Sequence, residues 1–130
     1  MKAPHPFLEN VRIVLVEDEA DLRLLIALFL NEGGAQVFAA KNAFDGLRLV
    51  REIRPDLVLS DINMPGRSGV ELLADIRSIG RSDGGCVPVI AMTAYPLNET
   101  IVEAGFHRIL REPFTPDQLL ATIDSVLSER

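Results

Sequence analysis

The chain has no second cysteine. Cys86 alone cannot close an internal disulfide and has no companions for a zinc site, so a reducing compartment is the natural setting. Its expected role is small buried filler near a strand. No apolar stretch approaches the roughly 20 residues a membrane helix needs, and the start Met1-Lys2-Ala3-Pro4-His5-Pro6 lacks the apolar centre of a signal peptide. The expectation is a cytoplasmic protein, or a cytoplasmic piece of a larger one, with no membrane contact. Positive charge is also short: the formal net charge is −6 and the pI is near 4.8. Direct binding of nucleic acid usually requires a clustered basic surface, so it is not expected, whereas a protein partner is. His5 and His107 have no partner ligands in sequence, which leaves neither as a metal or phosphotransfer candidate.

What remains is enough for one ordinary domain. The 130 residues are 48% hydrophobic, long enough and apolar enough to bury a core. Residues 1–10, with their prolines and lack of periodicity, read as a lead-in or linker, and 11–130 as the domain. Within it, apolar strands alternate with amphipathic helices. Val11 to Val16 reads as a strand, and Leu22, Leu25, Ile26 and Phe29 give the next helix a buried face that Gly33-Gly34 ends. A short strand at Ala35 to Ala39 leads to a helix capped by Asn42, with Phe44, Leu47 and Val50 inward. Strands at Leu57 to Asp61 and Val87 to Thr93 flank a helix that buries Val70, Leu73 and Ile76. A weak helix at about 98–104, a strand at about 107–111 and a helix opened by Thr115-Pro116-Asp117-Gln118 complete five strand–helix pairs. Strict alternation implies a parallel sheet covered on both faces.

The chemistry sits at the strand ends. Leu57-Val58-Leu59-Ser60 runs into Asp61, and Val11 to Val16 runs into Glu17 and Asp18. The carboxyl ends of parallel strands are where open α/β sheets place their sites. If the two strands are neighbours, three carboxylates converge, and they repel unless a proton or cation intervenes. Oxygen ligands without histidine or cysteine point to Mg²⁺.

Glu17-Asp18, Asp61, Met64-Pro65-Gly66, Thr93-Ala94 and Pro113-Phe114, in this order and spacing, resemble the receiver domain of two-component response regulators over about residues 8–128. Details such as Thr93-Ala94-Tyr95 and Ala104-Gly105-Phe106 are similar to receivers attached to hybrid histidine kinases. The resemblance implies a flavodoxin-like (βα)5 three-layer sandwich, its five parallel strands in the order 2-1-3-4-5. It implies that Asp61 is the phosphoacceptor, taking a phosphoryl group from phosphohistidine on a histidine kinase or a histidine phosphotransfer protein. Asp18 and Asp61 would bind Mg²⁺ directly, Asn63 through its backbone carbonyl and Glu17 through water. The Thr93 hydroxyl and the amides of Ile62 and Ala94 would contact the phosphoryl oxygens, and movement of Thr93 would switch a protein-binding surface on the fourth helix, fifth strand and fifth helix. A cis Glu112–Pro113 bond is implied as well. Such a domain is a signalling phosphoacceptor rather than an enzyme, capable at most of self-phosphorylation from small donors and of autodephosphorylation. Dimerisation through the fourth and fifth helices is common in the family, and no residue here demands it.

Two residues depart from the family pattern. Glu112 stands where the family carries a lysine, and Ile109 where it usually carries an aromatic residue. At about 5 Å and an effective dielectric of 20, one charge pair is worth roughly 3 kcal/mol, and reversing its sign swings the pocket by about twice that. Arg111 is a substitute cation only if a bulge or a long reach turns it inward, because adjacent strand residues face opposite ways. The departures favour an alternative, a phosphorylation-impaired pseudo-receiver acting as a protein-interaction module. An aspartyl-phosphate hydrolase of the haloacid dehalogenase type would want an acid where Asn63 stands, and a flavin mononucleotide carrier would not place Glu17-Asp18-Glu19 against a phosphate. With no output domain after residue 130, the response is expected to pass through a downstream protein or an absent part of the same polypeptide.

Overall fold

The computed structural model describes residues 5–129. β1 (Arg12–Val16), β2 (Gln36–Ala40), β3 (Leu57–Asp61), β4 (Val89–Thr93) and β5 (Arg108–Arg111) alternate with α1 (Ala20–Glu32), α2 (Ala43–Ile53), α3 (Gly69–Arg77), α4 (Glu99–Glu103) and α5 (Pro116–Leu127). All strand pairs are parallel, in the order β2-β1-β3-β4-β5. This is the flavodoxin-like order that the family resemblance implies. The chain winds one way from β1 to β2 and the other way from β3 onward, which opens a crevice at the carboxyl ends of β1 and β3. Val16 pairs with Ser60. Glu17, Asp18 and Asp61, the residues next in line, therefore meet at that crevice.

Alternation along the strands builds two cores. Ile13, Leu15, Leu57, Leu59, Ile90 and Met92 pack against Ile26 and Leu30 of α1 and Leu119, Ile123 and Val126 of α5. Val14, Val16, Val58 and Val89 face Ala43 and Val50 of α2 and Leu72, Leu73 and Ile76 of α3. A third, small cluster of Ile62, Ala91 and Ile101 lies under α4. Ile101 is the one buried residue of that five-residue helix, so α4 has few contacts to hold it and belongs at the low end of local stability. Among the described residues no helix is long and apolar enough to cross a membrane.

The helix ends follow their local chemistry. The Asn42 side chain accepts from Asp45 N at 2.7 Å, and Thr115 and Gln118 form a reciprocal capping box with Pro116 in the first turn. Ser68 and Glu71 form a second box at the start of α3. Residues 1–4 of the lead-in lie outside the described residues, but the rest is docked. His5 N donates to Gly33 O at 2.8 Å, Asn10 N donates to Gly34 O at 3.2 Å, and a 3-10 turn at Pro6–Leu8 carries Leu8, fully buried, into the α1/α5 core. Truncation of such a side chain removes its burial and leaves a cavity, so Leu8→Ala is expected to lower stability by about 2–5 kcal/mol. Urea denaturation with an unchanged slope checks this, and a loss below about 1 kcal/mol would mean that the arm is dispensable.

Three expected burials are corrected. Leu25 is 65% exposed and Phe44 76% exposed, and Cys86 is exposed. α1 is apolar nearly all round, so periodicity does not select its inner face, and the row that meets the sheet is Ile26 and Leu30. In α2 the inner row is Ala43, Gly46 and Val50. A Cβ at Gly46 would sit 2.7 Å from Val16 Cγ2; the helix lies that close to β1, and Phe44 is carried to the outside. Cys86 falls in the turn before β4, which starts only at Val89.

Candidate functional site

β1 delivers two acids into the crevice. Glu17 N continues the ladder by donating to Ala40 O at 3.0 Å, which fixes the residue beyond the strand end. Its carboxylate is 2% exposed; Oε2 accepts from Glu19 N at 3.0 Å, whereas Oε1 is buried with no hydrogen-bond partner. Arg23 is close by but gives its Nη1 to the Glu17 backbone carbonyl, at 2.9 Å, and not to the carboxylate. Asp18 is exposed beside it. β3 delivers Asp61, half-buried. One oxygen from each of Glu17, Asp18 and Asp61 lies within 4.8 Å of the others.

Crowding and burial oppose ionisation here. Burial, and then the charge of Asp61, the closeness of Asp18 and the charge of Glu112, push Glu17 up to about 8. Burial, Asp18 and Glu112 push Asp61 up to about 6. Burial, and then Glu19, also raise Glu112. Five carboxylates, Glu17, Asp18, Glu19, Asp61 and Glu112, line a cavity of about 200 Å³ together with Leu22, Ala94 and Tyr95. No basic side chain lines it among the described residues. Arg111 is exposed and absent from the cavity wall, as alternation along the strand requires when Glu112 faces in. The Glu112–Pro113 peptide is cis, as the resemblance implies.

The other expected contacts are placed less simply. Thr93 is fully buried and does not line the cavity. Its hydroxyl oxygen accepts from Tyr95 N at 3.1 Å and from Asn63 Nδ2 at 3.4 Å. Asn63 also turns its amide toward Asp61 Oδ1 at 3.3 Å, so one asparagine links the acid to the threonine. The amide of Ile62, expected at the phosphoryl oxygens, is engaged in the sheet. It donates to Met92 O at 3.1 Å because the β3–β4 ladder runs one residue past Asp61, and the amide that faces the carboxylate is that of Asn63. Ala94 borders the cavity.

Close packing holds this loop in place. Gly69 N donates to Ile62 O at 2.8 Å, and a Cβ at Gly69 would fall 2.4 Å from Asp61 O and 2.8 Å from Ile62 Cα. Gly69→Ala must therefore push α3 away from the end of β3. An overpacking loss of about 1–3 kcal/mol is expected in a urea melt; an unchanged midpoint would show that the approach is not needed.

Sequence reasoning missed a second feature. An apolar groove of about 310 Å³ runs between α1 and α5, lined by Leu25, Ile26, Phe29, Pro113, Phe114 and Leu119, and it shares Leu22 and Glu112 with the acid cavity. The signal was present in α1, whose leucines exceed what one buried face can hold; Leu24 and Leu28 are exposed on the same helix.

The donor set suits a hard divalent cation. All the converging atoms are carboxylate oxygens, and the orphaned Glu17 Oε1 is a buried acceptor that a metal-bound water or the metal itself would satisfy.

Residues 13–124 match the family model of the response regulator receiver domain. Sporulation initiation phosphotransferase F of Bacillus subtilis is 33% identical over 121 residues, covering 91% of this chain and 94% of its own. The DNA-binding response regulator MtrA of Mycobacterium leprae is 33% identical over 115 residues, and the matched part spans 86% of this chain but 49% of that protein. Among solved structures, the chemotaxis protein CheY4 of Vibrio cholerae superposes with a TM-score of 0.82 at 26% identity over 90% of this chain and 98% of its own. A CheY-like receiver domain protein of Methanospirillum hungatei gives 0.84 at 27% identity, over 93% and 96%. With the family model spanning most of the chain and the acids gathered at the sheet's switch point, this chain belongs to the response regulator receiver domains of two-component signalling.

Proposed function

We propose that Asp61 is a phosphoacceptor that takes its phosphoryl group from a phosphohistidine on a histidine kinase or phosphotransfer partner. The observation that carries this reading is the convergence of Asp61 with Glu17 and Asp18 around a buried, unpartnered oxygen. A carboxylate oxygen of Asp61 attacks phosphorus, the P–N bond breaks, and its electron pair leaves with the imidazole, which regains a proton at that nitrogen. Such a transfer depends on positioning and on charge neutralisation rather than on new covalent chemistry. Mg²⁺, held by Asp18, Asp61 and the Asn63 carbonyl with Glu17 through water, would supply the positive charge that crowded phosphoryl and carboxylate oxygens need. The amides of Asn63 and Ala94 serve the phosphoryl oxygens, Asn63 in place of Ile62 because its N–H already faces Asp61.

The switch follows from the buried Thr93. Its hydroxyl must leave Asn63 and the Tyr95 amide to reach a phosphoryl group, and breaking those contacts loosens the loop that leads into α4, the least anchored helix. Output then passes through the surface of α4, β5 and α5 to a protein partner. The apolar groove beside Glu112 gives a phosphodonor helix a place to rest within reach of Asp61.

Substitution of the acceptor tests this reading. Incubated with phosphoramidate and Mg²⁺, the wild-type chain is expected to form an acid-stable, base-labile adduct that maps to the peptide containing Asp61, and Asp61→Asn none. An adduct of undiminished yield on Asp61→Asn would move the acceptor elsewhere. A pseudo-receiver is the second reading, favoured by Glu112 on the cavity wall with no basic side chain lining it among the described residues.

A further inference from the structure

The acid cavity contains a carboxylate for which the transfer chemistry has no use. The backbone of Glu112 is pinned, since its N–H donates to Thr93 O at 2.7 Å one residue past the end of β5. Its side chain forms part of the cavity wall with Glu17, Asp18 and Asp61. No hydrogen bond or ion pair holds that carboxylate among the described residues. Its charge is felt across the cavity, where it contributes to the raised pKa of both Glu17 and Asp61. The buried Glu17 Oε1 is left without a donor in the same cavity.

We propose that Glu112 is a fourth carboxylate of the divalent-cation site, strengthening cation binding by Glu17, Asp18 and Asp61. The inference rests on the reading of that cavity as a Mg²⁺ pocket. Glu112 lies outside the three acids whose oxygens meet within 4.8 Å, so it acts through a bridging water or through space, not as a direct ligand of that triad. Both routes have the same sign. A divalent ion neutralises only two of the four charges, and each remaining carboxylate facing a low-dielectric, partly enclosed cavity adds attraction.

The sequence supplies its own reporter. Tyr95 is the one tyrosine, there is no tryptophan, and Tyr95 lines the cavity. Tb³⁺, an oxygen-seeking ion, is therefore expected to luminesce when excited through Tyr95, and Mg²⁺ or Ca²⁺ to displace it. Glu112→Gln should weaken Tb³⁺ binding and Mg²⁺ competition by on the order of tenfold, and Glu112→Ser should do the same with a different side-chain shape. Glu112→Asp should keep affinity near wild type. Each variant is first compared with wild type by thermal melting in chelator, and chains that melt no lower than wild type does are titrated. If Glu112→Gln and Glu112→Ser both bind Mg²⁺ within about twofold of wild type, Glu112 is a solvated wall charge and the proposal fails while the Mg²⁺ pocket stands. If the wild-type chain gives no Mg²⁺-displaceable luminescence, the pocket itself fails and the proposal with it.

Discussion

Glu112→Lys is expected to raise the rate of Asp61 labelling from phosphoramidate by about tenfold or more. The wild-type cavity presents five carboxylates and, among the described residues, no basic side chain to an incoming anion. At about 5 Å and an effective dielectric of 20, one unit charge against another is worth roughly 3 kcal/mol, and reversing its sign doubles the change. Solvent at this half-open wall and a bound cation both discount that figure. A remainder of about 1.4 kcal/mol is already tenfold in rate. The same substitution should weaken Mg²⁺ binding, so labelling must be measured at saturating Mg²⁺ to separate the two effects. Unchanged or slower labelling of a folded Glu112→Lys chain would mean that this wall charge does not oppose the phosphoryl group.

Stability without divalent cation should fall as pH rises, and Mg²⁺ should restore it. The sign follows from the two raised carboxylates. Asp61 moves from 3.8 to about 6 and Glu17 from 4.5 to about 8. A group whose folded-state pKa is raised binds its proton more tightly in the folded chain, so its contribution is full below the unfolded value and is lost as pH passes the folded one. The loss therefore begins above about pH 4 and is complete past about pH 8. Each tenfold gain in proton affinity on folding corresponds to about 1.4 kcal/mol, and because the two acids titrate together the total belongs to the pair. The melting temperature in chelator should drop across this range, the drop should flatten in Asp61→Asn, and saturating Mg²⁺ should recover most of it at the alkaline end by binding only the folded chain. A flat profile in chelator would show that the acids are solvated well enough to ionise freely.

The parts of this structure that were legible in the sequence are those governed by strong local rules. Five apolar runs ending in turns gave the strands. Thr115-Pro116-Asp117-Gln118 gave the start of α5 because its capping chemistry is self-contained. The acid triad was legible because strand ends are fixed in register, Val16 beside Ser60. Leu25 and Phe44 were misplaced because the inner faces of α1 and α2 are chosen by tertiary contact: one helix has more leucines than a single face can bury, and the other has Gly46 pressed against Val16. The bond from the Ile62 amide to Met92 depends on where the ladder stops and has no sequence signature. The link from Asn63 to Thr93 across thirty positions was equally out of reach. Glu112 was visible from the start, yet only its place in the cavity wall separates an acid at the site from a charge in solvent.

The central claim is that the cavity still accepts a phosphoryl group despite Glu112. Its most direct test is the intact mass of the folded wild-type chain, followed over time with phosphoramidate, with Mg²⁺ and in chelator. A single phosphoryl adduct that accumulates slowly and only with Mg²⁺ is expected. A wild-type mass that never changes, under conditions in which Glu112→Lys gains the adduct, would contradict the claim and make the chain a pseudo-receiver.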